Sequence, residues 1–254
     1  MANPDKILYL ATQAGKCLLE SGAETYRVED TICRICMSLK MEHAESICLP
    51  TGIYVTATLD GKSYTNISRI SNRSTNLNKV DQINQLSRDA DQLNEKQFED
   101  KLNEILNDSP YTTIKDLFFA GLSAFGFTLL FEGIPTDAVI AFLIGILVRW
   151  IEKSLSKQEM NNFFTVAISS AVLTLLTLVL AEIHFVASTE TVIIGTIMLL
   201  VPGLAITNAV RDSIAGDLIS GLARAAEALL VAVSVALGNG AGMMIWMWMG
   251  GIIG

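Results

Sequence analysis

The sequence predicts a polytopic α-helical membrane protein of about five transmembrane helices, with an N-terminal α+β cytoplasmic domain. Composition, charge distribution and run length carry that prediction. Over 254 residues, 51% are hydrophobic and only 17% are charged, with a mean hydropathy of +0.44. Residues 1–110 carry 12 Lys/Arg and 16 Asp/Glu, whereas the longer stretch 111–254 carries 6 and 10. Successive apolar runs of about 15–20 residues in the second part are of membrane length. A polar domain, 1–110, is therefore expected ahead of a transmembrane helical domain, 111–254, and a single soluble globule is excluded. A net charge of −8 without a basic patch excludes a nucleic-acid binder. Met1-Ala-Asn-Pro-Asp-Lys6 has no signal-peptide apolar core, so secretion is not expected.

In the polar domain, Ile7, Ala11, Ala14 and Leu18, then Val28, Ile32, Ile35 and Leu39, recur at helical spacing. They predict amphipathic helices near 4–20 and 24–40, broken at Ser21-Gly22, with Glu24, Glu29 and Asp30 suiting the second N-terminus. Ser46–Leu49 and Pro50-Thr-Gly52 lead into Ile53–Leu59. Its apolar residues at 53, 55, 57 and 59 alternate with Thr56 and Thr58, the pattern of a half-buried strand. Asp60-Gly61 is a turn signal before Ser63–Ile70, which completes a small meander. Two polar helices follow, marked by Val80, Ile83 and Leu86 and by Phe98, Leu102, Ile105 and Leu106, and Ser109-Pro110 closes the domain.

All four cysteines lie in this domain and are expected as free thiols in a reducing compartment. Cys33-Arg-Ile-Cys36 has no second pair and His43 is isolated, so neither a zinc site nor a redox pair is expected. Small apolar residues on a helix are the reading for that C-x-x-C. Phosphate-binding glycine motifs are absent.

Five spans fit the second part best: about 113–131, 136–152, 163–181, 190–208 and 216–237. Gly238-Asn-Gly240 is expected to break the chain before an apolar tail, 241–254, that extends the fifth helix or lies in the interface with Trp246 and Trp248. The hairpins near 132–137 and 182–190 hold Glu132, Asp137, Glu182 and Glu190 and no cation. Lys115, Arg149, Lys153, Lys157 and Arg211 fall on the other side. The positive-inside rule then places the N-terminal domain in the cytoplasm and the C-terminus outside.

Candidate chemistry gathers late in the chain. Pro202 and Gly203 interrupt the fourth span, either as a packing kink or as a broken helix whose freed carbonyls line a transport site. Thr207, Asn208, Arg211 and Asp212 follow. Asp217, Ser220, Arg224 and Glu227 share one helical face, and Gly216, Gly221 and Ala225 keep that region slim. Ionisable residues inside a span mark functional sites, although Asp217 and Arg224 near a helix end could also snorkel to the interface. Arg224 with the donors of Ser220, Thr207 and Asn208 suits a carboxylate. Asp217 or Glu227 suits an ammonium group or a coupling proton.

Several of these segments resemble the threonine/serine exporter family. They are Ser21-Gly-Ala-Glu-Thr-Tyr-Arg-Val-Glu29, Leu49-Pro-Thr-Gly52 before a strand, Ile67-Ser-Arg69-Ile, Arg73, Asn76-Leu77 and Val80, and in the membrane part Val201-Pro-Gly203, Ile206-Thr-Asn208-Ala, Gly216-Asp217 and Ser220-Gly-Leu-Ala-Arg224-Ala-Ala-Glu227-Ala. The resemblance spans nearly the whole chain. It implies the longer subunit of a split two-component exporter in the bacterial plasma membrane, working with a separate shorter membrane subunit in a hetero-oligomer, homo-oligomeric contacts aside. It implies no enzyme activity and no cofactor or metal. Threonine and serine are the first substrates it implies and succinate the second, by a secondary mechanism. The readings of another class are a membrane-anchored cytoplasmic enzyme or sensor, and a channel or scaffold without coupled transport. Five spans and the polar residues at 207–227 argue against a plain anchor.

Overall fold

The computed structural model describes residues 3–71, 73–108 and 112–253, with side chains to residue 250. The expected boundary at Ser109-Pro110 lies outside the described residues. The chain divides into two compact units. The first comprises Met1–Pro110 together with Leu204–Ala226, and the second Tyr111–Gly203 with Glu227–Gly254.

In the first unit, α1 (Pro4–Glu20) starts at Asn3, whose side chain accepts from the Lys6 N–H, and Pro4 opens the helix. A sharp corner joins it to α2 (Thr25–Ser38), with Gly22 at φ +91°, a left-handed value that favours glycine. Helix α2 stops two residues before the expected end. Lys40 turns left-handed (φ 80°) and the Met41 N–H reaches back to the Cys36 carbonyl, a six-to-one closure of the last turn.

The meander β1 (His43–Leu49), β2 (Gly52–Leu59), β3 (Lys62–Arg69) is antiparallel in the order β1-β2-β3. Strand β1 starts three residues earlier than Ser46 because its backbone pairs with β2 out to His43↔Thr58, while His43 and Glu45 point to the open face and give no apolar signal. On β2, Ile53, Val55 and Ala57 are buried and Tyr54 and Thr56 exposed. Asp60 and Gly61, both at positive φ, form the tight turn to β3.

Helices α3 (Leu77–Arg88) and α4 (Glu95–Asn107) follow, capped by Asn76 and by an Asn94/Gln97 capping box. One apolar core unites these elements, with Ile7, Leu18, Val28, Ile32, Ile35, Ile53, Ile83, Phe98 and Leu102 fully buried. The four cysteines are free thiols and three are buried. Burial pushes the Cys36 thiol up to about 12, with Cys33 adding to the shift, which keeps it protonated and inert near neutrality.

The second unit is helical: α5 (Thr113–Leu130), α6 (Pro135–Ser156), α7 (Asn162–Glu182) and α8 (Thr189–Ile197), together with most of α10 (Leu218–Ile253). Small residues set its closest crossings. At Gly145 an added Cβ would lie 2.8 Å from the Ala124 methyl, and at Gly121 2.8 Å from the Phe142 carbonyl. Buried Asp137 accepts from the Ala187 and Ser188 N–H groups (2.9 and 3.0 Å), pinning the entry to α8. Asp116 on α5 pairs with Arg149 and Lys153 on α6 at 3.2 and 2.8 Å, tying the start of α5 to the end of α6.

Among the described residues, three helices are long and apolar enough to cross a membrane by length and composition: Thr113–Leu130, Asn162–Glu182 and Leu218–Gly250. Two expectations need correction. The fourth span, 190–208, is not one helix. It divides into α8 and α9 (Gly203–Ala215), because Pro202 has no N–H to continue the ladder and the chain turns at 198–202. Nor does Gly238-Asn-Gly240 break the fifth. Helix α10 runs through it to Ile253, and the glycine there serves close packing. An added Cβ at Gly238 would collide with the Ala167 carbonyl of α7, and at Gly242 it would lie 2.6 Å from the Ala171 carbonyl. Thr174 on α7 also hydrogen-bonds Asn239 at 2.6 Å.

Because that approach tolerates no side chain, Gly238→Leu should lower stability by about 1–3 kcal/mol, seen as a lower midpoint of thermal unfolding in detergent. An unchanged midpoint would contradict the close crossing of α7 and α10.

Candidate functional site

Asn208, Asp212 and Arg224 are buried and turn onto the corner between α1 and α2. Gly216, at φ +102°, reverses the chain between α9 and α10, and Asp217 N–H closes the turn on the Asp212 carbonyl. The hairpin needs a glycine at 221, where a Cβ would run into Ser213 Oγ and sit 2.8 Å from the Ala209 carbonyl. That reversal brings Asp212 of α9 beside Arg224 of α10 although twelve residues separate them in sequence.

Asp212 is the centre. Its carboxylate is fully buried. Oδ1 accepts the Thr25 backbone N–H at 2.9 Å, and Oδ2 accepts the Thr25 hydroxyl at 3.0 Å. Thr25 is the first residue of α2, whose own N-cap residue, Glu24, makes no side-chain cap bond. Asp212 therefore caps α2 from another element and sits at the positive end of its dipole. Arg224 Nε lies 3.0 Å from Asp212 Oδ2, and Arg224 Nη2 donates to the Ala23 carbonyl at 2.8 Å. Arg224 is only 7% exposed. Two further bonds tie the same corner: Asn208 Nδ2 donates to the Gly22 carbonyl at 2.8 Å, and Arg211 Nη1 to Glu24 Oε1 at 2.6 Å. Ser220 Oγ donates to the Cys48 carbonyl at 3.4 Å.

Carboxylates ring the cluster, with opposite shifts. Burial alone would raise the Glu24 carboxyl, but its own backbone N–H, Arg211 and Arg27 outweigh burial and hold it below the usual range. Burial pushes the Glu29 carboxyl up against the hydrogen bond it accepts from the Cys48 N–H (2.7 Å), and the charges of Asp217 and Asp212 push it further. Asp217 is raised by burial and then by Asp212, and its Oδ2 is buried without a hydrogen-bond partner among the described residues.

Of the residues singled out in the sequence, Asn208, Arg211, Asp212, Ser220 and Arg224 gather on residues 22–25 and Cys48. Asp217 stands just before α10, between α9 and Glu29 in charge if not in contact. Thr207 is exposed. Pro202, Gly203 and Glu227 belong to the second unit. Sequence reasoning missed Glu24, Thr25 and Glu29 as members. Their only signal was that Ser21–Glu29 and 206–227 both stood out as motifs while Arg224 demanded a buried partner.

Removing one member of a buried pair strands the other. Asp212→Ala should cost about 3–5 kcal/mol, read as a loss of thermal stability. A change below about 1 kcal/mol would remove Asp212 from its central place.

Glu29 gives a pH signature. With its folded value raised above its unfolded one, the folded state binds the extra proton, so stability falls as pH rises from the unfolded value of about 4.3 through the raised one. Glu29→Gln keeps an acceptor for the Cys48 N–H and should flatten that slope, with unfolding midpoints measured from pH 4 to 7 as the check. Identical slopes in both proteins would refute the shift.

Residues 9–246 match the model of a family, ThrE, described as "Putative threonine/serine exporter". Relatives match along nearly their whole length. The "Probable succinate transporter subunit YjjP" of Klebsiella aerogenes is 28% identical over 240 residues, covering 93% of both chains. The protein of the same name from Escherichia coli K12 is 27% identical over 240 residues with the same coverage. No solved structure matches. With a family match of that extent, the chain belongs to the threonine/serine exporter family.

Proposed function

We propose that this chain is the larger, substrate-contacting subunit of a secondary exporter for small carboxylate-bearing metabolites, threonine or serine first. The observation that carries this reading is the buried Asp212–Arg224 pair. A buried arginine already held by a carboxylate is a site at which a substrate carboxylate can take the place of Asp212 without leaving the guanidinium unpaired. In the empty state Asp212 fills the site and caps α2. When substrate binds Arg224, Asp212 is released to accept a proton or a substrate ammonium group, and the 22–25 corner loosens. Asp217 and Glu29, both biased toward protonation, supply the proton traffic.

Charge favours the amino acid. Asp212, Asp217, Glu24 and Glu29 outnumber Arg224, Arg211 and Arg27, so a zwitterion's ammonium group finds partners and a dianion needs protons on the carboxylates first. The dicarboxylate reading stands second and rests on the names of the two relatives. That same word "subunit" supports a separate, shorter membrane partner, and both relatives being bacterial supports the plasma membrane.

Orientation follows from charge. Lys115, Arg149, Lys153, Lys157 and Arg211 lie on the cytoplasmic side with the polar domain, and Glu132, Asp137, Glu182 and Glu190 outside, with the C-terminus. The α9 region supports membrane contact as well. Asn208, Asp212, Ser220 and Arg224 are buried while Ile206, Val210, Ile214, Leu218, Ile219 and Leu222 are exposed, the reverse of a water-facing helix.

Arg224→Lys keeps the charge and loses the fork. It should leave the protein in the membrane and reduce efflux at least about tenfold. Asp217→Asn should abolish the pH dependence of efflux. The assay is release of labelled threonine, serine and succinate from preloaded cells expressing this chain with its membrane partner. Normal efflux by both variants refutes the site. Efflux of succinate alone keeps the mechanism and moves the substrate to the second reading, and no efflux of any of the three favours the sensor or enzyme reading.

A further inference from the structure

A groove of about 420 Å³ opens on the first unit beside the functional corner but on the other side of Ser21. One wall is a stripe of α1 that includes Lys16 and Glu20. Another is the segment 74–76 with Lys79 at the start of α3. Its size suits a small metabolite.

The donors converge in character. Lys79 Nζ spends one of its three N–H groups on the Leu106 carbonyl at 2.8 Å. Lys16 Nζ is 3.9 Å from Glu20 Oε1, beyond hydrogen-bond length, so that pair is loose. Asn76 uses its side-chain oxygen to cap α3 at the Lys79 N–H, which leaves its amide N–H₂ as a donor. Lys16, Lys79 and Asn76 line one groove, against a single carboxylate, Glu20. The chemistry is that of an anion site.

The groove is also stitched to the corner. The Ser74 N–H donates to the Glu20 carbonyl at 2.8 Å, and the Asn76 N–H to the Ser21 carbonyl at 3.0 Å. The next two carbonyls in the chain, Gly22 and Ala23, are those that hold Asn208 and Arg224.

We infer that Lys16, Lys79 and Asn76 form a second, regulatory site for a small carboxylate anion, and that its occupancy stiffens the Ser21–Thr25 corner. The regulatory role rests on the exporter reading proposed above, whereas binding of a small carboxylate at Lys16 and Lys79 does not. An anion bridging Lys16 and Lys79 ties α1 to α3. It restrains the carbonyls that anchor Asn208 and Arg224, and so biases the empty, Asp212-filled state.

The test is calorimetric titration of the detergent-purified full chain with succinate, L-threonine and inorganic phosphate in turn. The expected result is saturable binding of a carboxylate that weakens at least about tenfold in Lys16→Met/Lys79→Met and survives in Arg224→Lys. Lys16→Arg, which keeps the charge, should bind as the parent does and controls for misfolding of the double variant. Hydrogen exchange at 21–25 should slow when the anion is present. Binding of phosphate alone assigns the groove to a phosphorylated metabolite and overturns the carboxylate. Binding untouched by the double variant, binding lost only in Arg224→Lys, or none with any of the three anions overturns the site.

Discussion

A single buried carboxylate organises the polar side of this protein. Asp212 takes the Thr25 N–H and hydroxyl on one side and the Arg224 guanidinium on the other. An unpaired carboxylate in that position would be expensive, and so would an unpaired arginine, so each fixes the other and both fix the start of α2. The left-handed turn at Gly216, the bare Cα of Gly221 and the sharp corner at Gly22 all follow from bringing those two charges and that helix end to one point. Neutral helix caps are local. This one joins residues 187 apart, which makes it a tertiary restraint.

That restraint explains the inverted character of 204–226. A short helix such as α9 would ordinarily turn its apolar side to the core. Here Asn208 and Asp212 are buried while Ile214 is 81% exposed. The hydrogen bonds at the corner demand the polar face, and the apolar face is left for a nonaqueous environment. Helix α10 then carries the chain from Arg224 into the second unit.

Much of the fold was legible in the sequence because it is written in short-range periodicity. Helices α1 and α2 follow their apolar spacing to within two residues at each end, α3 and α4 cover the apolar residues that mark them, and β2 follows its alternation. What was not legible is long-range. Strand β1 begins at His43 because β2 offers backbone partners there, and its outward side chains carry no pattern. Gly238 looked like a helix breaker and is a contact with α7, since glycine reads the same in either role until a neighbour is known. Arg224 was correctly read as needing a partner, but helical spacing pointed to Asp217 and Glu227. Asp212, which the Arg224 guanidinium meets at 3.0 Å, stands across a hairpin whose reversal at Gly216 no periodicity reveals. Glu24 and Thr25 belong to the site for the same reason, being distant in sequence and adjacent only once the hairpin folds.

The central claim is that Asp212 and Arg224 act as one unit at the α1–α2 corner. A double-mutant cycle tests it most directly, with Asp212→Ala, Arg224→Ala and both together compared by thermal unfolding and by efflux. The account predicts strong non-additivity, with a double variant no worse than the poorer single one and a coupling therefore at least as large as the smaller single loss, about 3 kcal/mol. Strictly additive losses would mean that the two residues act separately, and would contradict it.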